Sequence, residues 1–264
     1  MQDVSPESLP TVMRILGELD PNPVIVRHAG SRAPFLITCD HAGRAVPKAL
    51  HQLGLPPGAF ERHIAWDIGA GELSLRLGEK LGACVIQQAY SRLVIDSNRA
   101  PGRSDSIPSI VDETEIPGNL GLSESEAAAR VSAIHTPYHQ AIADELDWRE
   151  SEGLGTIVLF LHSFTPRLAG RDRPWTLGVL HAGDSPFSDS VLAALRREHG
   201  DLIGDNQPYI LDETDYSAAR HARARGHDYL ELEVRQDLLA DAAGIDHWAT
   251  RLTPILEVAH SLCC

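Results

Sequence analysis

Residues 35–44 read FLITCDHAGR. Phe35 to Cys39 form a short run of apolar and β-favouring residues that leads straight into Asp40 and His41 and breaks at Gly43. Such a run, ended by turn residues, is the pattern of an inner strand of an α/β sheet, and ligands of these sheets bind outside the carboxyl ends of the strands. His41 therefore falls where a site would form. Residues 156–163, TIVLFLHS, repeat the arrangement, with Thr156 to Leu161 leading into His162 and Ser163. Two strands that each deliver a histidine at the C-terminal end suggest a metal ion at the rim of the sheet, because neutral imidazole is the commonest protein metal ligand and suits zinc. The alternative is that each imidazole caps its strand and hydrogen-bonds to a loop. Burying two titratable groups without partners would then be costly.

The chain has 264 residues, 43% of them hydrophobic, which suffices for one sizeable core at the upper edge of a single domain. One domain over residues 1–264 is expected. With 23 Lys and Arg against 37 Asp and Glu, the formal charge is -14. No basic run of the needed length is present, which argues against nucleic acid or an anionic membrane as partner. An anionic substrate would need arginines placed locally. Cys39, Cys84, Cys263 and Cys264 do not form a disulfide framework, since two lie in strand patterns and two are adjacent at the end. No apolar run reaches the length of a membrane span, and the opening MQDVSPESLP has neither the basic nor the apolar region of a signal peptide. A soluble protein of the reducing cytoplasm is the expectation.

Taken in order, Ser5 to Leu19 has the signals of a short amphipathic helix and Val24 to Val26 those of an edge strand. Arg44 follows the first site histidine closely. Asp67 lies among apolar residues in WDIG, just before a helix through Leu81, and is either its N-cap or a third metal ligand. Ala83 to Ile86 read as a strand, and YSRLVIDSNR, residues 90–99, as a second apolar run bracketed by arginines, a strand leading toward the rim. Asn98 and Arg99 there can both donate to one carboxylate, although surface ion pairing is the plainer reading. Residues 101–121 read as a long loop. Ser123 to Glu126 form a capping box for a helix kinked at Pro137, which places His135 and His139 on one face, either as a metal pair or, on the favoured reading, with one toward the pocket and the other exposed. Residues 164–175, with Arg167, form a basic loop; Leu177 to Leu180 are a strand and Pro186 to His199 a helix. Tyr209 to Gly226 cannot be ordered into a face. Tyr229 to Val234 alternate as a strand that puts Glu231 and Glu233 on the same side, and Asp246 to Leu262 are a helix covering the sheet.

The segments CDHAGRAVP, HIAWDIGA, YSRLVIDSNR, PYH at 137–139, HSFTPRLAG and LELEV, spread over about residues 35–234, together resemble the N-formylglutamate amidohydrolases. These are zinc enzymes akin in fold to the metallocarboxypeptidases and aspartoacylases. The resemblance implies a three-layer αβα domain with a mixed central sheet. It implies Zn2+ held by His41, Asp67 and His162, and Glu233 in the place of the catalytic glutamate. Asn98 and Arg99, helped by Arg92, would hold a substrate carboxylate, with His139 facing the pocket and Arg167 near the developing oxyanion. The substrate would be a small N-acyl amino acid, and the pathway histidine degradation. Two positions depart from pattern, the first from that of the wider metallocarboxypeptidase-like group and the second from that of the amidohydrolase family. Arg44 stands where an acidic ligand often follows the first histidine, and Phe160 where an acidic residue often precedes the second.

Overall fold

In the computed structural model, which describes residues 14–263, the first strands are Val24–Arg27 (β1), Phe35–Cys39 (β2) and Cys84–Gln88 (β3). A small hairpin, Ile110–Val111 (β4) and Thr114–Glu115 (β5), comes before Ile157–Phe164 (β6). A second hairpin, Arg167–Leu168 (β7) and Arg171–Asp172 (β8), precedes Leu177–Leu180 (β9), Ile203–Asp205 (β10) and Asp228–Arg235 (β11). The helices are Ala70–Leu81 (α1), Glu124–Arg130 (α2), Thr136–Ser151 (α3), Pro186–His199 (α4), Tyr216–His221 (α5) and Ala242–Cys263 (α6). Seven strands form one mixed sheet in the order β1-β3-β2-β6-β11-β9-β10. The central four, β3, β2, β6 and β11, are parallel, while β1 and the β9–β10 pair run the other way.

Alternation along the strands separates two apolar layers. Ile37, Val85, Leu159, Leu161, Leu230 and Leu232 pack with α1, α4 and α6 on one face. Leu36, Ile86, Val158, Phe160 and Tyr229 meet Tyr138, Ile142 and Leu146 of α3 on the other. The result is the expected three-layer αβα arrangement. Each such Leu or Ile, buried on both sides, contributes about 1.5–3 kcal/mol by leaving water. Helix α1 turns Leu73 and Leu77 inward and lies close on β3, because a Cβ at Gly78 would stand 2.2 Å from Val85 Cγ2. Cys39 and Cys84 are buried free thiols. No helix among the described residues is long and apolar enough to cross a membrane.

Helix α2 begins at the expected capping box, with Ser123 Oγ accepting from Glu126 N and Ser123 N donating to Glu126 Oε2 at 2.8 Å. Pro137, where a kink was expected, falls in the first turn of α3. Residues Val131–His135 instead form one wide π turn between α2 and α3. Pro137 has no N–H for the carbonyl of Ala133, and the wider turn absorbs the lost bond.

Three expectations change. The helix over Ser5 to Leu19 lies outside the described residues as far as 13, and residues 14–19 are irregular, with a turn in which Asp20 N donates to Gly17 O at 3.2 Å. The apolar run Leu93 to Ile95 is not a strand. It turns back on itself, Val94 N donating to Ser91 O at 2.9 Å, and its side chains enter a separate cluster with Phe60, Ile64 and Ile116. Residues 101–121 are not wholly loop, since they contain the β4–β5 hairpin.

Candidate metal and catalytic site

The parallel strands β2, β6 and β11 bring their C-terminal ends together, and the key side chains follow from that. His41 leaves the end of β2, where Gly43 lets the chain turn against the backbone of Ala89; a Cβ at Gly43 would stand 2.0 Å from Ala89 O. His162 lies near the end of β6 in direct register with Glu233 of β11. Asp67 is drawn in by its own backbone, its N–H donating to His41 O at 3.0 Å. It is not the N-cap of α1, a place taken by Gly69 at φ 80° with no side-chain cap.

Asp67 Oδ2 stands 3.3 Å from His41 Nδ1 and 2.9 Å from His162 Nδ1. One ligand atom from each of His41, Asp67 and His162 can be chosen so that all lie within 4.8 Å of one another, and all three residues are buried. Donors 2.0–2.1 Å from a tetrahedral zinc stand about 3.3 Å apart, so this set fits a metal ion in spacing and in chemistry.

Each imidazole has a carboxylate on its far side, the arrangement that orients metal-binding histidines. Asp96 Oδ1 accepts from His41 Nε2 at 2.7 Å and from Asn98 N at 2.9 Å, while Asp96 Oδ2 accepts from Arg92 at 2.8 Å. Asp40 Oδ2 lies 3.7 Å from His162 Nε2 and has no hydrogen-bond partner, while Asp40 Oδ1 accepts from Tyr138 at 2.6 Å. The carboxylate behind His162 therefore comes from the residue that follows β2. Phe160, at the position expected to supply it, packs into the core on the α3 side.

Burial alone would lower the His162 pKa, but the hydrogen bond and charge of Asp67 raise it well above the usual histidine range. For His41, burial and Arg92 push down and Asp96 and Asp67 push up, with a net rise. Burial would raise Asp67 and Asp96, yet the surrounding imidazoles and Arg92 hold both far below the usual carboxylate range.

The three residues line a cavity of about 480 Å³ together with Glu231 and Glu233. Both glutamates reach it, as their shared face requires. Burial pushes Glu233 up to about 8, and its Oε2 has no hydrogen-bond partner. The roof is an irregular segment that includes Tyr209, Ile210, Thr214 and Asp215, residues that periodicity could not place. Motif chemistry gives no signal for them either.

Arg92, Asn98 and Arg99 also line the cavity. Arg92 is turned inward as well, 3.5 Å from Asp67 and 2.8 Å from Asp96. Asn98 spends its amide on the protein, Nδ2 donating to Asp215 at 3.0 Å and Oδ1 accepting from Ser217 N at 2.9 Å. Arg99 Nη1 donates to the carbonyls of Asn98 and Thr214.

His139 is not among the cavity-lining residues, and neither it nor His135 is exposed. His139 donates through Nε2 to Ser97 O at 2.8 Å and accepts at Nδ1 from His221, while His135 donates to Arg99 O at 3.0 Å. Both therefore support the 97–99 segment from behind. Arg167 is far from its expected role: it sits on the exposed β7–β8 hairpin beside Asp172. Arg44 also faces outward, paired with Glu61 and stacked 4.9 Å over Trp66.

The family model for N-formylglutamate amidohydrolase matches residues 33–240. The crystal structure of the gene product Atu2144 from Agrobacterium tumefaciens superposes with a TM-score of 0.91 at 32% identity, covering 95% of this chain and 99% of that one. An N-formylglutamate amidohydrolase from Ralstonia eutropha JMP134 superposes with a TM-score of 0.68 at 19% identity, covering 91% and 98% of the two chains. The second likeness is one of fold alone. No curated protein matches the chain.

Proposed function

Because the chain belongs to the N-formylglutamate amidohydrolase family, we propose that it is a zinc-dependent hydrolase that cleaves the formamide of N-formylglutamate, or of a close N-acyl amino acid, to formate and the free amino acid. The observation that carries this reading is the buried His41–Asp67–His162 donor set sharing one cavity with the unpartnered carboxyl of Glu233.

Two imidazoles and a carboxylate suit zinc. When bound there, the ion would polarise the formyl carbonyl and acidify a water molecule. Glu233, in register with His162, is the general base that takes a proton from the attacking water and returns it to the departing nitrogen. Its elevated pKa suits a group that must both accept and release a proton near neutrality. Arg92 adds positive charge at the cavity wall and neutralises the carboxylates that orient His41. Arg99, which also lines the cavity, is the anchor for the substrate carboxylate.

The test is formate release from N-formylglutamate by zinc-loaded protein. Steady turnover is expected, with Glu233→Gln slower by about 10²-fold or more, the scale of general acid–base assistance. If no N-formyl amino acid yields formate from zinc-loaded, folded protein, the assignment is wrong.

A further inference from the structure

A second cavity, of about 520 Å³, adjoins the catalytic one. Arg92, Arg99 and Tyr209 line both, so the two spaces meet across these side chains. Their linings differ in kind. The catalytic cavity holds His41, Asp67, His162, Glu231 and Glu233, whereas the second sets Ile64, Leu93, Pro108, Val111 and Leu168 beside His63 and three aspartates. This apolar surface is assembled from the turned-back 93–95 run and from both small hairpins, elements that lie outside the main sheet.

Two further features bear on what the space accepts. Ile110 lines it while 62% exposed, so apolar surface stands in water at its edge. Asp96, Asp105 and Asp112 also line it, and the guanidinium of Arg99 is already 3.2 Å from Asp105. A second carboxylate entering there would meet like charge, whereas an aliphatic group would leave water for an apolar wall.

We propose that this cavity is a side-chain subsite of the active site, taking a large uncharged aliphatic side chain on the amino acid whose nitrogen is released. The inference deepens the formamide-hydrolase reading and rests on it for orientation. With the α-carboxylate at Arg99, the Cα lies at the shared wall. From that point the acyl nitrogen faces Glu233 and the side chain enters the second cavity. The subsite then favours N-formyl amino acids of the leucine type over N-formylglutamate, whose side-chain carboxylate would meet Asp105 and Asp112 there.

The experiment compares N-formyl-L-leucine with N-formylglycine on zinc-loaded protein. The leucine compound is expected to show at least about 10-fold higher kcat/KM, given what even one methylene is worth in an apolar pocket. Leu168→Asp, on an exposed hairpin, should bring the ratio close to one. Val111→Ala is a milder second variant that should lower the ratio in the same direction. Equal kcat/KM for the two compounds, with N-formylglutamate hydrolysed, overturns the subsite and leaves the hydrolase reading intact. If no formamide is cleaved, the hydrolase reading has failed, and calorimetric binding of the same two compounds decides the subsite. About 10-fold tighter binding of N-formyl-L-leucine, lost in Leu168→Asp, supports it; equal affinities overturn it.

Discussion

Replacing Asp96 with Asn tests whether the residues behind His41 tune a metal site. Asp96 Oδ1 accepts two hydrogen bonds, from His41 Nε2 and from Asn98 N, and Oδ2 accepts one from Arg92. An asparagine can serve only one side. With its oxygen toward His41, its NH2 opposes the Arg92 guanidinium; flipped, it sets a donor against both His41 Nε2–H and Asn98 N–H. Either orientation leaves buried donors facing each other, and Arg92 loses its closest counter-charge. Removing an outer carboxylate of this kind weakens metal binding about 10- to 100-fold, or roughly 1.4–2.7 kcal/mol. The assay is zinc competition against a chromogenic chelator at fixed pH, with circular dichroism confirming the fold. An affinity within about twofold of the unsubstituted protein would refute the claim that Asp96 holds His41 in its metal-binding tautomer.

Chelated protein should lose stability as the pH rises through neutrality. His41 and His162 have folded pKa values above the ordinary 6.5 and Glu233 stands at about 8, so each contributes stability at low pH that disappears as the pH climbs through its folded value. Zinc should reverse the trend, because it binds neutral imidazoles and competes better at higher pH; melting curves between about pH 5 and pH 8 with and without zinc check both, and parallel curves would contradict them. Gly43→Ala should destabilise by about 1–3 kcal/mol or more through overpacking against Ala89. That is a melting temperature lower by several degrees, about 2–4 °C per kcal/mol in a chain of this size. Gly58→Ala, with no atom within 4 Å of the new Cβ, is the control and should not differ from wild type.

The regular frame was legible in the chain because it follows from short apolar runs. The strands at Phe35, Ile157, Leu177 and Tyr229 and the helices α1, α4 and α6 stand close to where periodicity puts them. His41, His162 and Glu233 came with them, since each is attached to the end of a strand. Asp67 could be a cap or a ligand by pattern alone, and only the approach of its backbone to His41 O separates the two. Leu93 to Ile95 misled because an apolar run also serves a buried turn when a separate cluster can receive it. Arg167 misled because a basic residue after a site histidine carries no information about which way a hairpin points. The roof at 208–215 was illegible for a simpler reason: it has neither period nor pattern, and its position is set by β9, β10 and α5 around it.

The wide turn between α2 and α3 has a consequence in phase. In an unbroken α-helix, residues five apart point about 140° away from each other. A turn closed by bonds to the fifth residue brings such a pair onto one side. Arg130 and His135 are such a pair. Arg130 donates to Val94 O at 3.0 Å, His135 to Arg99 O at 3.0 Å and His139 to Ser97 O at 2.8 Å. The α2–α3 unit thus grips, at the carbonyls of Val94, Ser97 and Arg99, the irregular segment that carries Asp96, Asn98 and Arg99. The irregular turn works as a vernier, one residue of slip that aligns three clamps on the part of the site wall that has no strand or helix of its own.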